Sequence, residues 1–127
     1  MDIIVTTPKT RMAEAAREAE EIKAAGGGYY YREYNVRRAP YIEPGQRVYY
    51  VEDGMLQGFC VVVARRLRRA KRRCDSVVMV DMDATSWKWI KPITWKAPRS
   101  FQYAPDDLRA EVEIVGGWLD PRPEVGL

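Results

Sequence analysis

Residues 47–64 read RVYYVEDGMLQGFCVVVA and carry the clearest hairpin pattern in the chain. Two runs of strand-forming residues, 47–52 and 55–64, flank Asp53 and Gly54, a pair that suits a tight type I′ turn because both central residues need positive φ. Gly58 inside the second run predicts a bulge or a close approach of backbone, as at the corner of a barrel. We therefore predict two antiparallel strands joined by a two-residue turn.

A helix is expected before this hairpin. Residues 8–22 carry apolar side chains at helical spacing, and Thr7 followed by Pro8 suits the start of a helix. Three glycines at 26–28 follow the pattern and are expected to end the helix. They do not resemble a phosphate-binding loop, because such loops precede the helix whose amides hold the anion.

Short strands are expected on both sides of the hairpin. Strand composition is found at residues 2–6, 29–36, 77–82 and 112–115. Alternation places Tyr30, Arg32 and Tyr34 on one face of their strand. Two later prolines place residues 84–91 at a sheet edge or on an irregular course. The order of elements predicts an α+β fold: a small, mostly antiparallel β-barrel with one N-terminal helix.

The length and composition favour one soluble domain over residues 1–127, with a Pro-rich tail at 119–127. No apolar run approaches the roughly 18 residues that would span a bilayer, and no basic leader precedes an apolar segment. We therefore expect a cytoplasmic protein without a membrane partner. Histidine is absent, and Cys60 and Cys74 lack a metal-binding spacing, so we predict no metal site and no cofactor. Any catalysis would have to use Lys, Glu, Asp, Thr or Tyr, and the composition by itself assigns no catalytic residue.

The positive charge is concentrated in residues 65–73, RRLRRAKRR, which contain seven of the 21 basic residues and none of the 18 acidic ones. The remaining 14 basic residues are outnumbered by the 18 acidic ones, so the rest of the chain is mildly acidic. A helix here would have arginine on nearly every side and could bury no face. The run is therefore predicted to be a mobile basic loop or arm, which is typical of an electrostatic contact with a polyanion or of a solvated loop.

Residues 85–103, TSWKWIKPITWKAPRSFQY, combine aromatic and basic side chains and contain no acidic residue. Flat apolar rings beside fixed positive charge suit stacked bases and their phosphates. Aromatic residues are also common in strands for packing reasons alone, and Trp87 and Trp89 are two positions apart, as on one face of a strand. Both interpretations remain open at this point.

Several segments resemble the PUA-like superfamily, in particular its ASCH branch. The resemblance rests on Tyr31-Arg32-Glu33, the turn Pro44-Gly45-Gln46-Arg47, the run 48–51 and the return strand 54–63. It implies a pseudobarrel with a cleft beside the helix, which relatives use to bind RNA or modified nucleobases. Members of one ASCH group use this cleft to hydrolyse the amide of N4-acetylcytidine.

The chain departs from the catalytic members of that branch. Their motif places a lysine just before the strand, whereas this sequence has no lysine between Lys23 and Lys71. The nucleophile activation that the resemblance implies therefore has no obvious agent, and binding is favoured over catalysis.

The leading hypothesis is a nucleic-acid-binding module for RNA or for a flipped or modified base. The residues expected to carry this binding are Arg32, Tyr34, Arg37, Arg38, Arg68, Arg69, Arg72, Arg73, Thr85, Ser86, Trp87, Lys88 and Trp89. One alternative is a modified-nucleoside amidohydrolase that uses Glu33 or Asp83 as general base, with Thr85 or Ser86 positioning water. The other is a protein-interaction or structural module with Trp87, Trp89 and Trp118 in its interface.

Overall fold

A computed structural model describes residues 1–6, 21, 24, 29–69 and 76–123. This described part of the chain is mostly β-structure with little helix. The elements are β1 (Ile3–Thr6), β2 (Tyr29–Asn35), β3 (Arg47–Glu52), β4 (Met55–Arg69), β5 (Ser76–Thr94), β6 (Phe101–Tyr103), α1 (Leu108–Glu111) and β7 (Ile114–Gly117). A single 3-10 turn, Val36–Arg38, follows β2.

The strands form one sheet in the order β2-β5-β4-β3-β1-β6, and β7 pairs with β5. All neighbouring strands are antiparallel except β1 and β3. The sheet curls into a half-barrel. Side chains connect its two sides, because Nη2 of Arg32 on β2 donates to the carbonyl of Thr6 on β1 at 3.0 Å. The rings of Tyr34 and Phe101 meet edge to face at 5.7 Å.

The hairpin of β3 and β4 forms as predicted. Glu52 pairs with Met55 across the turn, and Asp53 and Gly54 have φ of 51° and 73°. The prediction for Gly58 is also confirmed, since the register of β4 shifts next to it. A Cβ at this position would lie 2.4 Å from the carbonyl oxygen of Lys88 and 2.4 Å from Cζ2 of Trp87. Only glycine allows β5 to approach this closely.

Strand β5 differs from the prediction, because residues 76–94 form one continuous strand at the centre of the sheet. Its first half pairs with β2 and its second half with β7, while β4 runs along the other side. The expected edge position of residues 84–91 is therefore wrong, whereas the irregular course, the other expectation, is confirmed by the register shifts between β4 and these residues. Pro92 is accommodated because the β4 ladder is interrupted between the pairs Gly58–Trp89 and Leu56–Ile93. That interruption removes the need for an amide hydrogen at Pro92.

The prediction of a mobile loop at 65–73 is also wrong for its first five residues. Residues 65–69 continue β4 and pair with residues 76–80 of β5. The ladder with β5 pairs backbone groups of these residues that a solvated arm would leave to water. Residues 70–73, including Arg72 and Arg73, lie outside the described part of the chain.

Each face of the curled sheet carries an apolar cluster. The inner face, defined by Val78, Val80 and Met82 of β5, packs against Ile3, Val5 and other buried side chains. The outer face, defined by Tyr49, Phe59 and Ile90, is covered in part by α1, whose Leu108 is buried. Because both faces of β3 and β4 are buried, these strands contain nearly continuous apolar runs.

The predicted N-terminal helix at 8–22 falls outside the described residues except for Glu21. The short α1 lies near the carboxyl end of the chain. No helix among the described residues is long and apolar enough to cross a membrane.

Candidate functional site

Four half-buried side chains form a continuous row along the inner face. The guanidinium of Arg32 on β2 lies 5.6 Å from the ring centre of Tyr50 on β3. The Tyr50 ring lies 5.7 Å from Trp87, and Trp87 lies 5.1 Å from Trp89, both with edge-to-face geometry. We call Arg32, Tyr50, Trp87 and Trp89 the aromatic row. Three strands that are distant in sequence bring it together.

Glycines beside the row explain how two indoles fit on one strand. Gly58 on β4 and Gly116 on β7 both pair with Trp89, so the positions on either side of this residue carry no side chain. The Trp87 ring lies over Gly58. The indole nitrogen of Trp89 donates to the carbonyl of Asp120 at 3.2 Å, which orients this ring. Trp89 therefore has a fixed orientation while part of its surface stays open to solvent.

Trp87 combines the two roles that the sequence left open. It packs against the inner apolar cluster through contacts that include Tyr50, and part of its surface remains accessible. Trp89 is half-buried but lies outside both clusters, so it depends less on the core. Of the two indoles, Trp89 is the better candidate for contact with a ligand.

Polar groups deep on the inner face are held neutral. Burial raises the pKa of the Cys60 thiol to about 12, and the hydrogen bond with Ser86 only partly opposes this effect. Burial likewise raises the pKa of Tyr50, whose hydroxyl donates to the sulfur of Met82 at 3.3 Å. These groups add no charge to the inner face near neutral pH.

Tyr34 was expected to contact nucleic acid, but its side chain is only 8% exposed. Tyr30, Arg32 and Tyr34 share one face of β2, as predicted. At Tyr34, however, that face is packed into the inner apolar cluster. Its hydroxyl makes no hydrogen bond of good geometry within the described part of the chain. Burial raises the pKa of Tyr34, and the nearby Arg32 guanidinium opposes this shift. Tyr34 is therefore a packing residue.

Asp83, Thr85 and Ser86 form the irregular part of β5 just before the indoles. The Thr85 amide and hydroxyl donate to Oδ1 of Asp83 at 2.9 and 2.7 Å. The Ser86 hydroxyl donates to the Asp83 carbonyl and accepts from the Val61 amide at 2.8 Å. Ser86 thus fills the gap in the ladder opposite β4, which gives it a structural role. Glu33, the other candidate base, pairs with Met79, which precedes Asp83 by four positions along β5, and is not part of this group.

The predicted basic residues are divided between several surfaces. Arg37 and Arg38 are exposed in the 3-10 turn after β2. Arg68 forms an ion pair with Glu33, and Arg69 is exposed at the end of β4. Lys88 is exposed but pairs with Phe59, so it lies on the outer face, away from the aromatic row. The structure therefore does not bring Lys88 together with Trp87 and Trp89.

Tyr50 and Arg65 were not among the predicted site residues. Tyr50 completes the aromatic row. It lies two positions after the buried Val48 within β3, and this period-two spacing is the sequence signal that places both residues on the inner face. The sequence gives no reason to separate Arg65 from the neighbouring arginines. The strand at residues 65–69 does so, because it places Arg65 and Arg66 on opposite faces of the sheet.

Comparisons of the chain with models of protein families, with curated proteins and with solved structures gave no match. Within the described residues, no group of three or more cysteine, aspartate or glutamate side chains is arranged to hold a metal ion.

Proposed function

We propose that the protein binds single-stranded nucleic acid, with RNA favoured, along the inner face. The observation that carries this proposal is the aromatic row, in which a guanidinium and three rings follow one another at 5.1–5.7 Å and all remain partly exposed. Each base offers a π-face to such a surface, so contact does not depend on one particular sequence.

Positive charge near the row supports a polyanionic ligand. Arg32 lies at one end of the row, and exposed Arg37 and Arg38 follow the same strand. Neither Arg37 nor Arg38 has an ion-pair partner in the part of the chain that the structure describes. Guanidinium groups bind phosphate through several donors at once and also stack on flat rings.

The resemblance to the PUA-like superfamily points in the same direction, because it implies a pseudobarrel with a cleft beside the helix that relatives use to bind RNA or modified nucleobases. Binding is favoured over hydrolysis of a modified nucleoside, since Thr85 and Ser86 use their hydroxyls to hold the irregular part of β5. Glu33 pairs with Met79 and does not belong to this group, and Asp83 accepts the hydrogen bonds of the Thr85 amide and hydroxyl.

The test measures fluorescence anisotropy of fluorescein-labelled 12-nucleotide U-rich RNA, the matching single-stranded DNA and an RNA duplex. Trp89→Ala is expected to weaken binding to the single strands by about 1–3 kcal/mol, the usual cost of one lost base stack. Trp95→Ala is the matched control, because Trp95 is a half-buried indole that packs on the outer face and donates to Gln102.

Binding by the wild type that is lost in the Trp89 variant and kept in the Trp95 variant supports the proposal. Failure of the wild type to bind any single strand at low salt would refute it. Equal losses in the two tryptophan variants would refute the inner face as the binding surface.

A further inference from the structure

The described part of the basic run lies on a strand, and a strand sends successive side chains to opposite faces. Residues 65–69 therefore cannot act as one uniform patch. Their pairing with β5 decides which face each arginine joins, because directly paired residues point to the same side of an antiparallel sheet.

Arg66 and Arg68 belong to the outer face. Arg66 pairs with Met79 and binds the carboxylate of Asp81 through two hydrogen bonds of 2.7 and 3.1 Å. Arg68 forms an ion pair with Glu33, which also pairs with Met79 from the other side. The two arginines thus connect β4 to β5 and β2 above Met79, which is nearly buried. Their charge is neutralised within the protein.

Arg65 and Arg69 belong to the inner face. Arg65 pairs with the buried Val80, and its Nε donates to the carbonyl of Pro40 at 3.3 Å. Its two terminal nitrogens have no hydrogen-bond partner among the described residues. Arg69 is exposed and pairs with Ser76. Neither has an ion pair among the described residues. Leu67, between them on the same face, is 70% exposed.

Arg65 also shares a row of the sheet with Arg32. Val80 pairs with Arg65 on one side and with Arg32 on the other, so the two arginines lie two strand spacings apart, about 10 Å, on the inner face. Arg32 is the first member of the aromatic row. Arg69, Arg65 and Arg32 therefore lie on the same face of the sheet as the indoles, with the buried Val80 between Arg65 and Arg32.

We infer that Arg65 and Arg69 bind the phosphates of a single-stranded nucleic acid, whereas Arg66 and Arg68 hold the sheet together and contribute no phosphate contact. The inference rests on the proposed function and assigns the orientation of its ligand. One segment of the strand lies across Arg69 and Arg65, and the following bases continue over the aromatic row. Leu67 gives the sugar or base between the two phosphates an apolar contact.

The test compares two double variants that change the formal net charge equally, Arg65→Ser/Arg69→Ser and Arg66→Ser/Arg68→Ser. Binding of labelled 12-nucleotide RNA is measured at several salt concentrations. Each phosphate contact on a single strand contributes about 0.7 to the slope of log K against log salt, so loss of Arg65 and Arg69 should reduce this slope by about 1.4. The second double variant should keep the wild-type slope and show a lower midpoint of thermal unfolding.

Arg69→Ser alone is the second variant, because Arg69 makes no described contact that the fold requires, and it should reduce the slope by about 0.7. Equal slopes in the two double variants, or a larger reduction of the slope for Arg66→Ser/Arg68→Ser, would overturn the assignment of the arginines. If the wild type still binds RNA, the proposed function would stand. Absence of wild-type binding would overturn both.

Discussion

Replacement of Gly58 by alanine tests the packing that supports the aromatic row. The added Cβ would lie 2.4 Å from the carbonyl oxygen of Lys88 and 2.4 and 2.7 Å from Cζ2 and Cη2 of Trp87. Carbon atoms pack at about 3.5–4.0 Å, so β4 and β5 would have to separate by about 1 Å. Overpacking of this kind typically costs about 1–3 kcal/mol, and the backbone contact with Lys88 places this variant at the upper end.

Urea denaturation followed by far-UV circular dichroism measures this cost, with Gly116→Ala as the matched control. Gly116 pairs with Trp89 from the other side, but the atoms nearest to a Cβ there would be those of the Asp120 side chain at 3.3 Å and Cδ1 of the Trp89 ring at 3.5 Å. The control should therefore lose less stability. Adding Trp87→Ala to Gly58→Ala should relieve only part of the strain, because the Lys88 oxygen belongs to the backbone. Equal stability losses at Gly58 and Gly116 would refute the close approach of β4 and β5.

Three further variants or conditions test individual groups. In a Cys74→Ser background, the Cys60 thiol should not affect the pH dependence of stability below pH 9. Stability should fall as pH rises from 9 towards 12, because the thiol loses its proton at lower pH in the unfolded chain than in the folded one. Urea midpoints measured at pH 8–11 should therefore fall more steeply with Cys60 present than in Cys60→Ala. Tyr34→Phe should leave both stability and RNA affinity within about 1 kcal/mol of wild type, because the Tyr34 hydroxyl makes no hydrogen bond of good geometry among the described residues. A tenfold loss of RNA affinity would show that the hydroxyl contacts the ligand. Burial alone would raise the pKa of Asp2, but hydrogen bonds from Arg109 and the Arg47 amide outweigh burial and lower the pKa. Stability should therefore fall as pH drops below about 4, and this dependence should be weaker in Asp2→Asn.

Local patterns in the sequence predicted the parts of the fold that depend on neighbouring residues. The β3–β4 turn requires positive φ at two adjacent positions, and Asp53-Gly54 meets that requirement without help from distant contacts. Alternation also placed Arg32 and Tyr34 on the same face. Whether that face opens to solvent depends on what packs over it, and Phe101, 67 positions after Tyr34, covers the tyrosine. Sequence spacing carries no information about such a contact.

The continuity of β5 could not be predicted for the same reason. Pro92 and the irregular residues 83–86 each interrupt a strand pattern, and local propensity places a boundary at such positions. In the structure, the Ser86 hydroxyl replaces a missing backbone partner by accepting from Val61, and the ladder with β4 is interrupted next to Pro92. Compensation by β4, more than 20 positions earlier, keeps the strand continuous and places both indoles at the centre of the sheet.

The basic run shows how secondary structure changes the meaning of a charge count. As a mobile arm, all seven of its basic residues would be equivalent, and affinity for a polyanion would scale with their number. As a strand, residues 65–69 divide by parity, and the outer face supplies Asp81 and Glu33 to neutralise Arg66 and Arg68. The arginines left on the inner face are fewer, but they occupy fixed positions in register with Arg32. Because the backbone that carries these arginines is already ordered, binding need not order a mobile segment, and the arrangement favours an oriented contact with a strand over a diffuse attraction to any polyanion.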